Sequence, residues 1–267
     1  MEKDNIFDLM DAYIISLKNK QNQFNKTYNL LKKAGLKNVQ KFEAINGNEL
    51  VMTLDPVGYK HPVVNVSLVA QYSINNVRYS HREIPSKGVI GCYLSHITLW
   101  KKLLESDKEY MLIFEDDAVP QENNLDIKIK ELINEKSDFD IILLGNEIRD
   151  TIPLKNKSKN LRKCIFFFGL HAYIISKKAV KKLIKYIFPI DIQIDSYISL
   201  YNKKDSEFNV YHTINKYVVQ SLHKSSLQDI CVSCYMLDIK DNCISKKYII
   251  FALVFILIIY VFIYKNH

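Results

Sequence analysis

Short apolar runs alternate with stretches of helical spacing along most of this chain, and that alternation restricts its fold more than any other feature. "AYIISL" (12–17) suits a buried strand, and "NKTYNLLKKAG" has helical spacing and closes on Gly35, a helix stop signal. "VQKFEAI" (39–45) reads as a second strand, ended by "NGN". Strand, helix and strand in that order call for a parallel pair, because parallel strands need a crossover between them. The rhythm continues with helix "GVIGCYLSHITLWKKLLES" (88–106), strand "YMLIF", a helix near 122–136 and strand "FDIILLG" (139–145). Two further apolar runs, "KCIFFFG" and "AYIIS", precede helix "SKKAVKKLIKYIF", for which Ser176 is the expected cap. A helix at 191–202 and short strands near 208–219 complete the pattern. Residues 53–87, with prolines and short alternating pieces, read as a long irregular excursion suited to covering a substrate. The expected fold is α/β, a mostly parallel sheet with helices on both faces. A chain of 267 residues that is 48% apolar can bury one good core, so a single domain over 1–240 is expected.

The C-terminus is of another kind. "YIIFALVFILIIYVFIY" (248–264) is uncharged, bounded by lysines, and has tyrosines at both ends where an aromatic belt would sit. At ~1.5 Å per residue it reaches about 26 Å, the lower limit for a hydrocarbon core of ~30 Å. It is apolar on every face, so a single-pass C-terminal membrane anchor is expected rather than an amphipathic core helix. The N-terminus begins acidic and lacks a basic segment ahead of an apolar core, which argues against a secretory signal and for a catalytic domain facing the cytosol. The sequons at Asn25, Asn65 and Asn156 would matter only in a lumenal protein. The net charge of +8 is spread through the chain without aromatic and basic residues interleaved in a recognised module, so no nucleic-acid partner is expected. Cys92, Cys164, Cys231, Cys234 and Cys243 are odd in number, and no metal-ligand spacing with histidines is evident among them.

The chemistry gathers at "MLIFEDDAVP" (111–120), where three acids follow an apolar strand. Ligands of α/β sheets sit outside the carboxyl ends of the strands, and Glu115, Asp116 and Asp117 occupy such an end. Side chains alternate along extended backbone, so Glu115 and Asp117 should point one way and Asp116 the other. Two oxygen ligands on one side suit Mg²⁺ or Mn²⁺ held together with substrate phosphates. The competing reading is that the acids only start a turn and cap the next helix.

"GVIGCYLSH", ending about twenty residues before "FEDDA", resembles glycosyltransferase family 25, which includes bacterial lipooligosaccharide galactosyltransferases and procollagen galactosyltransferases. "YIISL", "FEAINGNEL", "DIILLGN", "GLHAYIISKKAVKKLI", "FPIDIQID" and "YVVQ" follow the family's order over roughly residues 11–230. The resemblance implies a GT-A-type fold and transfer of a sugar, typically galactose, from a UDP-sugar to a hydroxyl. The acceptor would be a glycan, a glycolipid or a hydroxylysine-type protein. Glu115 and Asp117 then stand as metal ligands, with Asp117 also catalytic, and Glu115, Asp116, Ser95, His96 and His171 as nucleotide-sugar contacts. Asp191 in "PID" is the candidate base for the acceptor's proton, with Asp195 as its fallback on the same helix face. For His96 a packed core histidine competes, since it shares an apolar arc with Cys92, Leu99 and Leu103, whereas Ser95 is expected on the other side. Departures from the family pattern are Leu170 for a threonine, and "SLKNKQNQF" (16–24), where Ser16 replaces asparagine and no arginine occurs. Lys18 or Lys20 can supply a charge there but not a bidentate fork. These departures keep a second reading open, a glycosyltransferase-like membrane-anchored binding protein without turnover.

Overall fold

The computed structural model describes residues 6–53, 63–76, 80–152 and 158–221. In chain order the elements are α1 (Ile6–Leu9), β1 (Met10–Ser16), α2 (Gln21–Lys33), β2 (Val39–Glu43), β3 (Val51–Thr53), β4 (Val63–Asn65), α3 (Leu68–Asn75) and α4 (Lys87–Glu105). There follow β5 (Tyr110–Glu115), β6 (Ala118–Pro120), α5 (Leu125–Glu135), β7 (Ile141–Ile152), β8 (Leu161–Ser176), α6 (Lys177–Leu183), α7 (Ile194–Lys204), β9 (Val210–Thr213) and β10 (Val218–Gln220). A six-stranded sheet in the order β2-β1-β5-β8-β7-β9 forms the centre. β1 runs parallel to β2 and β5, and β7 parallel to β9, while β8 is antiparallel to each strand it pairs with. The sheet is therefore mostly parallel with one reversed strand inside it.

Period-two alternation on β5 builds two cores. Met111 and Ile113 pack on one face with Tyr93, Trp100 and Leu103 of α4, and Leu112 and Phe114 pack on the other with Leu31 of α2 and Ile129 of α5. The helix ends obey local rules. Gly35 has φ +100°, and the amides of Gly35 and Leu36 bond the carbonyls of Lys32 and Leu31, closing α2 with a left-handed glycine. The Ser176 hydroxyl accepts the Ala179 amide at 3.0 Å and caps α6 as expected.

Three expectations change. "KCIFFFG" and "AYIIS" are one continuous strand, β8, because Gly169 takes φ +81° and bends the backbone without ending the ladder. The excursion at 53–87 is not wholly irregular: β4 pairs with β3, and α3 is capped by Ser67, whose hydroxyl accepts the Ala70 amide. The last expected helix also starts later, since α7 begins at Ile194; Asp191 precedes it and shares no helix face with Asp195. Among the described residues no helix is long and apolar enough to cross a membrane. The apolar segment 248–264, Asn156 and Cys231, Cys234 and Cys243 lie outside the described residues.

Candidate active site

β5 ends in the acidic run, and the alternation that builds the core also divides its carboxylates. Glu115 continues the Met111–Ile113 face toward α4, where Cys92 Sγ lies 3.9 Å and His96 Nε2 3.4 Å from its Oε1. His96 is fully buried, and the Glu115 side chain is 23% exposed. Behind them, the Tyr173 hydroxyl sits 2.8 Å from His96 Nδ1 and receives the Trp100 indole N–H at 2.9 Å. Trp can only donate, so the Tyr173 oxygen accepts from the indole, and its bond to Nδ1 holds the imidazole in place in either tautomer of the ring. Burial raises the Glu115 pKa, but the imidazoles of His96 and His171 and the Cys92 thiol outweigh it and hold the carboxyl below its ordinary range.

Asp116 turns to the opposite face. Its Oδ2 accepts from Ser16 Oγ at 2.8 Å, and its carbonyl accepts from Thr27 Oγ1 of α2 at 2.6 Å. Burial raises its pKa against the pull of Ser16 and of the charges on Lys20 and Lys41. Ser16 and Lys20, from the stretch that lacks arginines, thus both act on the acidic run. Asp117 is tied to β10: its Oδ2 accepts from Gln220 Nε2 at 2.7 Å, and its carbonyl from the Ser221 amide. Its other oxygen, Oδ1, is buried without a hydrogen bond. Burial first, then the charge of Glu115, pushes the Asp117 carboxyl up to about 7.

His171 follows the Gly169 bend. A Cβ placed on Gly145 would fall 2.4 Å from His171 Nε2 and 2.0 Å from the Val218 carbonyl, so only glycine at 145 admits this imidazole. The bend is held by Asp195, whose carboxylate accepts the Gly169 amide at 2.8 Å and the Ser196 amide at 2.6 Å. Burial raises the Asp195 pKa against those bonds. Burial and then the charges of Glu115, Asp195 and Asp117 push the Cys92 thiol well up, so these groups share one electrostatic pocket.

Ser95 differs from the expectation. It is fully buried, its hydroxyl accepting the Ile45 amide at 2.9 Å and donating to the Gly91 carbonyl at 2.7 Å. In this position it clips "AINGNEL" onto α4. The clip is reinforced by backbone approach, since a Cβ on Gly47 would lie 1.7 Å from the Lys87 carbonyl and one on Gly91 2.3 Å from the Ile45 carbonyl. Asp191 is exposed and accepts from the hydroxyl of Ser67, beside the start of α3. Glu115, Asp117, His96 and His171 are thus gathered at one place, with Asp116 behind them, Ser95 beneath the surface and Asp191 at the Ser67 cap.

Sequence reading missed Cys92 as a partner of Glu115, although Cys92 and His96 stand four apart on one helix face. It also missed Tyr173 and Gln220, which only the pairing of β8 and β10 brings near β5 and β6. The assembled groups offer ionised oxygens, one carboxyl poised near neutrality and imidazole N–H donors, a set suited to holding a cation and phosphate oxygens.

The sequence pattern of "Glycosyltransferase family 25 (LPS biosynthesis protein)" matches residues 10–198. The chain is 30% identical over 174 residues to the lipooligosaccharide biosynthesis protein lex-1 of Haemophilus influenzae, covering 60% of this chain and 53% of that protein. It is 24% identical over 184 residues to human procollagen galactosyltransferase 2, covering 65% of this chain and 27% of that one. The match thus spans about half the length of the first relative and about a quarter of the second. A solved glycosyltransferase involved in the glycosylation of the major capsid of PBCV-1 aligns at TM-score 0.40 and 10% identity over 81% of this chain and 94% of that one, a likeness that adds nothing to the assignment. With the pattern matched from β1 into α7 and the acidic run, the Ser95–His96 pair and the His171 bend all inside it, the chain belongs to glycosyltransferase family 25.

Proposed function

We propose that this domain is a GT-A-type hexosyltransferase that moves a sugar, galactose in the first instance, from a UDP-sugar to a hydroxyl of a glycan, glycolipid or hydroxylysine-type protein. The observation that carries the reading is the pairing of Glu115 with Asp117, whose Oδ1 is buried without a hydrogen bond while its carboxyl is lifted to about 7. Such an oxygen fits a hard divalent cation, so Glu115 and Asp117 are the residues that would hold Mn²⁺ or Mg²⁺. The ion would supply neutralisation of the charge that grows on the leaving diphosphate. Asp116, fixed by Ser16 and flanked by Lys20 and Lys41, sets the nucleotide side of the pocket. His171 donates to a phosphate or sugar oxygen, and His96 acts through Glu115, keeping that carboxylate ionised. In an inverting transfer one carboxylate takes the acceptor's proton. Asp191 is exposed and able to meet an acceptor, whereas Asp195 spends both oxygens on backbone amides and serves to position the His171 bend.

The test is incubation of the full chain with a panel of nucleotide sugars, with and without Mn²⁺, followed by detection of free UDP in the presence and absence of acceptor. Release that needs Mn²⁺ and an acceptor supports the transferase. Binding of a UDP-sugar without release favours the silent binding protein, the reading for which the absence of arginine in 16–24 speaks. Residues 248–264 are proposed as a single-pass anchor that leaves the domain in the cytosol. Deleting 246–267 should release an active domain from membranes, and loss of folding on deletion would reject the anchor.

A further inference from the structure

Cys92 and His96 stand one turn apart on α4 and both face Glu115. The thiol sulfur is 3.9 Å and the imidazole Nε2 3.4 Å from the same carboxylate oxygen, and the three donor atoms lie within 4.8 Å of one another. In a tetrahedral zinc site, with bonds of about 2.0–2.1 Å to nitrogen or oxygen and about 2.3 Å to sulfur, neighbouring ligand atoms are about 3.3–3.6 Å apart. The 3.4 Å separation of His96 from Glu115 already meets that geometry, and the 3.9 Å separation of Cys92 from Glu115 comes near it.

The second observation comes from the imidazole. His96 is fully buried, and its Nε2 stands 3.4 Å from Glu115 Oε1 without meeting it in a hydrogen bond. Its Nδ1 is 2.8 Å from the Tyr173 hydroxyl, so the ring can carry its proton there and donate to the tyrosine oxygen. The Nε2 lone pair would then point at a carboxylate oxygen, an opposition that a cation between them removes. The hydrogen-bonded Nδ1 is also the outer support that metal-bound histidines have. Thiolate, imidazole and carboxylate together form a borderline-soft donor set, unlike the oxygen set that Mn²⁺ or Mg²⁺ prefers.

We propose that Cys92, His96 and Glu115 form a binding site for a zinc-class ion, with three protein ligands and one open position. Binding deprotonates the thiol, whose proton leaves to solvent as the ion is taken up. A Glu115 carboxylate drawn toward this ion is withdrawn from the Mn²⁺ of the transferase, so zinc weakens the enzyme's grip on the diphosphate. That competition rests on the transferase reading; the zinc site does not.

The experiment is titration of the metal-free full chain with Co²⁺ as the spectroscopic probe, followed by displacement with Zn²⁺. The expected result is a thiolate-to-cobalt charge-transfer band with the visible bands of a tetrahedral ion, saturating at one equivalent. Cys92→Ala, at a partly exposed position, is the deciding variant and should weaken binding at least about 100-fold; His96→Gln should do the same. The band should persist in a Cys231→Ala, Cys234→Ala background, which removes the other cysteine pair, and in Asp117→Asn, which leaves all three ligands in place. No band, or a band kept in Cys92→Ala and lost without Cys231 and Cys234, overturns the site. Zn²⁺ inhibition of Mn²⁺-dependent UDP release that disappears in Cys92→Ala supports the competition. A retained cobalt band without any UDP release rejects the transferase reading alone.

Discussion

Where β7 begins, Asp140 is fully buried, and its Oδ2 accepts the Asn209 amide at 2.8 Å. The ammonium groups of Lys178 and Lys182 stand 3.6 and 3.8 Å from its two oxygens. At the opposite end of the sheet, where β5 stops, Glu115, Asp116 and Asp117 crowd together, and the side chains that touch them are a serine, a glutamine, a thiol and an imidazole, with Lys20 and Lys41 acting on Asp116 at longer range. A carboxylate taken out of water costs several kcal/mol unless it is paired; two ammonium groups offset part of that cost at Asp140, where burial still raises the pKa, whereas at β5 three acids share a serine, a thiol, an imidazole and an amide. The difference teaches where to look for function: charge is balanced internally at the end that only closes the sheet and left to be balanced from outside at the end that meets a ligand.

The largest effect should come from Asp117→Asn. UDP release should fall at least about 100-fold, since metal-assisted charge stabilisation is worth several kcal/mol, while the midpoint of urea unfolding stays level or rises. Undiminished turnover would break the comparison at its functional end. Asp140→Ala should do the reverse, costing about 1–3 kcal/mol by leaving the Asn209 amide without its acceptor, with turnover per folded molecule unchanged. A variant as stable as the parent would show that the lysine pairing is incidental. The smallest effect should come from His212, on the strand that Asp140 anchors through Asn209. Burial lowers its pKa against the bond its Nδ1 makes with the Thr213 carbonyl at 2.8 Å. The unfolded chain then binds more protons than the native one below about 6.5, so stability is present above that pH and falls as the solution is acidified, by no more than ~1.4 kcal/mol per pH unit. His212→Gln should flatten this limb of a plot of unfolding free energy against pH, and an unchanged slope would assign it elsewhere.

Much of this was legible from the order of residues. The alternation in "YMLIFEDD" separates Glu115 from Asp116, because extended backbone obeys a period of two whatever it packs against. The Gly35 stop and the Ser176 cap follow from local geometry alone. What escaped depended on contacts made at a distance. Ser95 looked exposed because only the sheet was counted as a partner of α4, whereas the loop around Gly47 covers its other side. β8 looked like two strands because a left-handed glycine bends a ladder as readily as it ends one. Asp191 and Asp195 looked like one helix face, yet the backbone bond from Ser67 to Ile190 and the bridge of Ile190 to Val66 hold the chain out of a helix there, and it passes a bend before α7 begins at Ile194.

The backbone contact between Gly47 and α4 makes a surface turn a fulcrum. A single added methyl at 47 or 91 forces the turn and α4 to part, and α4 is the helix that carries the thiol and imidazole attending Glu115. Inheritance at these two glycines therefore governs a carboxylate that neither of them touches.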